Sequence, residues 1–239
     1  MKNKYINHTK ISEEKFRQIL NLFCIDIEAS KVAEITQISR QTINRIFLLI
    51  RKRIQQIQGE FTVFSDENIE VDESYFGAKR VRGKRGRGAG DKTKVFGMLK
   101  RQGKVYVQVV ENCSAKELLP IILEHSKTDA RIFSDGWKSY DGLVDFGYKK
   151  HYRVKHCQEE YAAKNIEISG EKMLGVNNHI NGIENFWGLC KVRLSRFRGI
   201  KKSHFLLHLK ECEFRYNNRD QDLYKILLKN FRQMPLILS

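Results

Sequence analysis

INGIENFWGLCKVRLSRF, residues Ile180 to Phe197, sets Ile180, Ile183, Trp187, Leu194 and Phe197 at helical spacing. Glu184 lies one turn from Ile180 and three residues before Trp187, so the pattern predicts a helix whose carboxylate points inward or nearly so. An ionised carboxylate on an apolar stripe costs on the order of several kcal/mol unless a cation or a dense set of donors compensates it. Asp72 and Asp135 also stand beside apolar runs. Three such carboxylates can form a divalent-metal site.

Length and composition bound the rest. A chain of 239 residues suggests one large domain and a small one, and 41% hydrophobic residues suffice for a core. No apolar run approaches the roughly 20 residues of a membrane span, and the opening MKNKYINHTK lacks the apolar stretch of a signal peptide. The expectation is a folded protein of the cytoplasm. Cys24, Cys113, Cys157, Cys190 and Cys212 are scattered and never form CxxC, which predicts neither a disulfide framework nor bound zinc. Lys and Arg number 44 against 28 Asp and Glu, a net +16. That excess favours a polyanion such as DNA or RNA, although ribosomal and membrane-surface proteins share it.

From Ser12 the segment SEEKFRQILNLF has an N-cap serine, an acidic first turn, and Phe16, Ile19, Leu20 and Phe23 on one helical face. A shorter apolar segment spans Lys31 to Thr36, the chain breaks at Gln37-Ile38-Ser39, and a long helix follows with Ile43, Ile46, Phe47, Ile50, Ile54 and Ile57 inward. This is the order of a helix-turn-helix. Its groove-facing positions hold Arg40, Gln41, Thr42, Asn44 and Arg45, which can read base edges or phosphates. A small helical dimerisation bundle fits the same pattern.

After a linker at 59–68 the apolar period changes to alternation. Ile69 to Gly77 reads as a strand with Asp72 at its middle. The glycine-rich basic run that follows, with Lys84, Arg85 and Arg87, suits phosphate contacts or a solvated hairpin tip. Strands are predicted at Val95–Lys100, Val105–Glu111, Arg131–Ser134 and Tyr152–Val154, and helices at Ala115–His125, Trp137–Phe146 and about Leu223–Phe231. Residues 156–178 carry no readable element. Three strands, helix, strand, helix, strand, helix is the order of an RNase H-like domain, with Asp72 on the first strand, Asp135 ending the fourth and Glu184 on the late helix. Singly, each acid also has a structural reading, as a satisfied buried polar residue, a turn, or an arginine partner.

VDESYFG, KRGRGAG, KTKVFGMLKR, SDGWKSYDGL, NNHINGIENFWGLCK and LKECEFRYNNR together resemble the small bacterial insertion-sequence transposases of the DDE type, in the ISXO-like group, from about Ile69 to Arg219. HINGIENFW and RYNNR carry the resemblance most specifically. It implies an α/β chain: an RNase H-like mixed sheet flanked by helices at 69–219, after a small all-α helix-turn-helix domain at 1–58 and before a C-terminal helix and tail at 220–239. Many relatives carry an N-terminal zinc ribbon, which this sequence lacks; the compact form also occurs among them.

The resemblance further implies Asp72, Asp135 and Glu184 as catalytic metal ligands for Mg²⁺ or Mn²⁺, two ions serving an in-line displacement at phosphorus. Lys191, Arg193 and Arg196, on the basic end of the Glu184 helix, join the candidate DNA contacts. The expected partners are double-stranded DNA, as element ends and target, and further copies of the chain, since joining two ends calls for at least a dimer. Glu73 adjoins Asp72 but faces the other way on a strand. The alternatives are a non-catalytic or domesticated helix-turn-helix protein and an RNase H-like nuclease acting on hybrids.

Overall fold

The computed structural model of the chain describes residues 3–59, 64, 68–77, 92–135, 138–148, 150–154, 179–197 and 199–238. Two compact units emerge, one built from Met1–Glu60 with Ser203–Ser239 and the other from Phe61–Lys202. This division differs from the sequence boundaries at residues 58, 68 and 219, because the segment after residue 202 shares a core with the N-terminal helices.

The first unit begins with β1 (Ile6–Asn7), α1 (Glu13–Cys24), α2 (Ala29–Thr36) and α3 (Arg40–Gln58). Ser12 caps α1 by accepting from the Lys15 N–H, and Phe16, Ile19, Leu20 and Phe23 are its buried face. Gln37 ends α2 in a left-handed conformation, and Ser39 caps α3 by accepting from the Thr42 N–H. The predicted helix, short helix, turn and helix are therefore all present.

The second unit follows the predicted strand order. Strands β2 (Asn68–Phe76), β3 (Thr93–Lys100) and β4 (Val105–Val110) precede α4 (Ala115–His125), β5 (Arg131–Asp135), β6 (His151–Val154) and α5 (Asn181–Ser195). The sheet order is β4-β3-β2-β5-β6; β2–β3 and β3–β4 are antiparallel, whereas β2–β5 and β5–β6 are parallel. A meander continued by parallel crossover strands is the RNase H-like arrangement. On one face Ile69 and Val71 of β2 pack with Leu118 and Ile122 of α4 and with Tyr140 and Leu143. The helix predicted at Trp137–Phe146 is a 3₁₀ turn at Lys138–Leu143. Its interior Asp141-Gly142 pair is turn chemistry, and Gly142 brings the backbone against Leu119. The basic run with Lys84, Arg85 and Arg87, and the segment 156–178, lie outside the described residues.

The chain closes in the first unit with α6 (Lys202–Asn217), α7 (Leu223–Gln233) and β7 (Leu236–Ile237), the last pairing with β1 in parallel. Phe214, Leu227, Phe231 and Leu236 share one core with Phe16, Ile19, Ile43 and Ile50. The acids of KECEFR are buried and fully answered. Glu211 accepts from Arg51 Nε at 2.7 Å and from Arg215 Nε at 3.0 Å. Arg215 also donates to the carbonyls of Phe23 and Cys24 at 2.6 and 2.7 Å, closing an α1 end that has no basic residue of its own. Glu213 accepts from Gln58 and Lys210 at 2.9 and 2.6 Å.

Removing one partner of a buried ion network strands the others. Glu211→Ala is therefore expected to destabilise the first unit by about 3–5 kcal/mol. Both tryptophans, Trp137 and Trp187, belong to the second unit. Loss of helical circular dichroism in urea should then precede the change in tryptophan fluorescence; a variant that unfolds like the wild type would show that the network adds nothing.

Candidate active site

Strand β2 divides its side chains between the two faces of the sheet. Tyr140 donates to the buried Glu73 carboxylate, and Tyr75 to Cys113 Sγ at 3.7 Å, on the α4 side. Glu70 accepts from the Ile183 N–H of α5 at 2.9 Å, and Phe76 meets the Trp187 ring edge to face, on the other side. The period of two therefore puts Asp72 with Glu70 and Phe76, under α5, and turns Glu73 away.

Glycine lets α5 lie close over that face. Gly97 is the β3 partner of Asp72, and a Cβ there would come within 2.5 Å of the Trp187 ring. A Cβ on Gly182, in the first turn of α5, would meet Glu70 Oε2 at 2.8 Å and Leu99 at 3.0 Å. The NGIEN motif thus reflects close packing of a helix start on a strand. The buried stripe of α5 is Ile183, Phe186, Trp187, Cys190 and Leu194. Glu184 stands at its edge and is exposed, which corrects the inward placement expected from Ile180 and Trp187. Ile180 is the N-cap residue rather than a stripe position, so the apolar face begins one residue before Glu184, about 100° away around the helix.

Asp135 ends β5. The parallel β2–β5 register runs to Val71↔Ser134, so Asp72 and Asp135 occupy the next positions of adjoining strands, on the same face. Burial first, then the charges of Asp135 and Glu184, push the Asp72 carboxyl up to about 7, against the Glu73 backbone N–H and the Trp187 indole, which favour its charged form. Trp187 Nε1 is itself buried and makes no hydrogen bond of good geometry, so its effect on Asp72 is that of a nearby dipole. The three predicted acids therefore come from three elements, and Asp72 feels the charges of the other two. As they lie, no three His, Cys, Asp or Glu side chains among the described residues are close enough together to hold one ion.

The donor chemistry nevertheless fits a hard cation. Glu70, Glu211 and Glu213 are each answered by an arginine or lysine, whereas the largest influences on Asp72 include two further carboxylates and no cation. Hard carboxylate oxygens that repel one another are drawn together by a proton or, when both are ionised, by a cation.

Arg40, Gln41, Asn44 and Arg45 are exposed on the first turns of α3; the Thr42 hydroxyl instead pairs with Ser39 Oγ at 2.8 Å as part of the cap. Lys191 and Arg196 are exposed on and just after α5, and the half-buried Arg193 stacks its guanidinium over Phe197 at 5.4 Å. Sequence reasoning missed Glu70, Arg101, Gly97, Gly182 and Tyr140. For Glu70 the signal was present: in IEVDES it shares the period-two face of Asp72.

With that geometry in hand, comparison with known proteins is decisive. Residues 64–217 match the ISXO2-like transposase domain. The chain belongs to this transposase family. An uncharacterized transposase-like protein of Haemophilus influenzae is 42% identical over 134 residues, covering 56% of this chain and 98% of that protein. Membership carries a transposition function and the general use of divalent metal ions by DDE transposases. No helix among the described residues is long and apolar enough to cross a membrane.

The raised pKa of Asp72 has a definite sign for stability. Between about pH 4 and pH 7 the folded transposase keeps a proton there that the unfolded chain has released, so stability falls as pH rises through that window. Asp72→Asn removes this dependence. In chelator it should match the wild type near pH 4 and exceed it by about 2–4 kcal/mol at pH 8, as measured by denaturant unfolding. A constant difference across the range would mean that Asp72 is not held protonated.

Proposed function

We propose that this chain is a DNA transposase that binds the terminal inverted repeats of its insertion sequence and catalyses metal-dependent strand cleavage and strand transfer. The observation that supports the reading is that Asp72 on β2 responds to the charges of Asp135 at the end of β5 and Glu184 on α5, with no cation among its largest influences. In the reaction Asp72, Asp135 and Glu184 are the ligands of Mg²⁺ or Mn²⁺, in a two-ion site. When bound, such ions activate the attacking oxygen and stabilise the leaving oxygen of an in-line displacement.

The protein residues then have separate tasks. Asp72 and Asp135, on adjoining strands, give the rigid half of the site; Glu184, exposed on the first turn of α5, reaches it from above. Lys191 lies two turns along from Glu184 on the same side of the helix, where it meets substrate phosphate. Arg193 and Arg196 extend that basic strip, and Lys84, Arg85 and Arg87 add phosphate contacts from the glycine-rich run. Arg40, Gln41, Asn44 and Arg45 read the major groove at the element end, with Thr42 fixing the start of their helix. Water first releases a 3′-OH at the element end, and that hydroxyl attacks target DNA. Joining two ends requires at least two copies of the chain on DNA, working where the cell's DNA lies, in the cytoplasm.

Cleavage of a labelled fragment carrying the gene's native flanks tests this reading. Wild type should nick at a defined end in Mg²⁺ or Mn²⁺. Glu184→Gln should bind the fragment with unchanged affinity and cut it at least about 100-fold more slowly, as expected when a metal ligand is lost. Binding without cutting by both proteins would favour a non-catalytic DNA-binding protein instead, and equal cutting would remove Glu184 from the site.

A further inference from the structure

Glu70 stands two residues before Asp72 on the same face of β2, yet its oxygens are already occupied. Oε2 accepts from the Ile183 N–H at 2.9 Å, one of the backbone donors that a helix start leaves unpaired. Oε1 accepts from Arg101 Nε at 2.9 Å, with His179 Nδ1 nearby at 3.4 Å. Glu70 is 1% exposed. Arg101 in turn donates to the His179 carbonyl, just before the N-cap residue Ile180, and lies over the Phe133 ring at 3.8 Å. Its own N–H donates to the Asn68 carbonyl at 2.9 Å, which ties the β3–β4 turn to the start of β2.

The start of α5 is thus fastened at two points, Ile183 and His179, to one carboxylate and its arginine. Glu184 is the next residue after Ile183. A negative charge at the helix start is also favoured by the backbone dipoles there. Gly182 completes the fit, since its missing side chain lets the first turn settle against Glu70 Oε2.

We propose that Glu70, held by Arg101, is the positioning residue that sets the start of α5 and so the place of Glu184 beside Asp72. This rests on the reading of Asp72, Asp135 and Glu184 as metal ligands. Glu70 touches no reacting atom; it acts through the helix. Outer partners that orient metal ligands are commonly worth 10- to 100-fold in metal affinity.

The test compares two full-length proteins that differ only in the acceptor to Ile183. Glu70→Gln/Arg101→Met keeps an acceptor oxygen; Glu70→Leu/Arg101→Met removes it while leaving an uncharged, similarly filled site, an exchange that buried ion pairs often tolerate. The readouts are Mn²⁺ affinity by electron paramagnetic resonance and hydrogen exchange at the Ile183 amide. The Leu protein should bind Mn²⁺ about 10-fold or more weakly than the Gln protein and exchange Ile183 faster. If the Leu protein fails to fold, Gly182→Ala, which crowds Glu70 off the helix start, should show the same loss of Mn²⁺ affinity. Equal Mn²⁺ affinity in the Leu and Gln proteins, or wild-type affinity in Gly182→Ala, overturns the proposal. Asp72→Asn and Glu184→Gln separate the two levels. If they lose Mn²⁺ while the Glu70 variants do not, only the positioning role falls; if they bind Mn²⁺ like wild type, the metal-ligand reading falls and the positioning role with it.

Discussion

Glu70 is almost inaccessible to water, and an ionised carboxylate in that position is tolerated only when donors surround both oxygens. The donors available are Arg101 and the first turn of α5, so satisfying this one charge determines where the helix begins. Much of the second unit follows from that demand. Gly182 has to be glycine because the turn lies against Glu70, and Gly97 because the helix then presses the Trp187 ring onto β3. Glu73, on the opposite face, has a parallel role: Tyr140 donates to it and ties the turn after Asp135 to the strand that carries Asp72. Glu70 thus fastens α5, which bears Glu184, and Glu73 fastens the turn that follows Asp135.

The first unit uses the same device without any evident chemistry. Glu211 and Glu213 have no exposed surface, and each is answered by basic or amide side chains from α3 and α6. Arg215 then carries that charge to the open carbonyls that end α1. The three N-terminal helices have little interior of their own, and α6 and α7 supply Phe214, Leu227 and Phe231 to it. The RYNNR segment that marks the family in sequence is, in this unit, largely a packing and capping device.

Legibility in the sequence followed the kind of information each element carries. Strands β2 to β6 and helices α1, α3, α4 and α7 were readable because alternation, helical spacing and caps are local. The turn after Asp135 has a helical pattern in SDGWKSYDGL, whose apolar residues fall at helical spacing, but its glycines favour a tighter turn. The three acids could be singled out because each sits beside an apolar run. The spacing from Ile180 to Trp187 sets Glu184 too far inward because Ile180 is the N-cap residue. The Glu70–Arg101 pairing spans 31 residues and the Glu211–Arg51 pairing 160. Nothing local announces such partners. Only the excess of acids in IEVDES and KECEF hints that some must be buried and paired.

That contrast bears on what Asp72 is for. A chain with a net charge of +16 has cations to spare, and it places one beside each of the buried Glu70, Glu211 and Glu213. At Asp72 it places acids instead, and burial then holds the carboxyl near neutrality of charge up to about pH 7. If stability alone shaped the position, an arginine or an apolar residue would serve better, because the repulsion among Asp72, Asp135 and Glu184 is a cost that no described cation offsets among the largest influences on Asp72. A charge arrangement that is unfavourable by itself and becomes favourable with a bound divalent cation is the electrostatic form of a binding site. The glutamates on either side, already satisfied, hold the elements in place so that binding need not also pay the cost of assembling them.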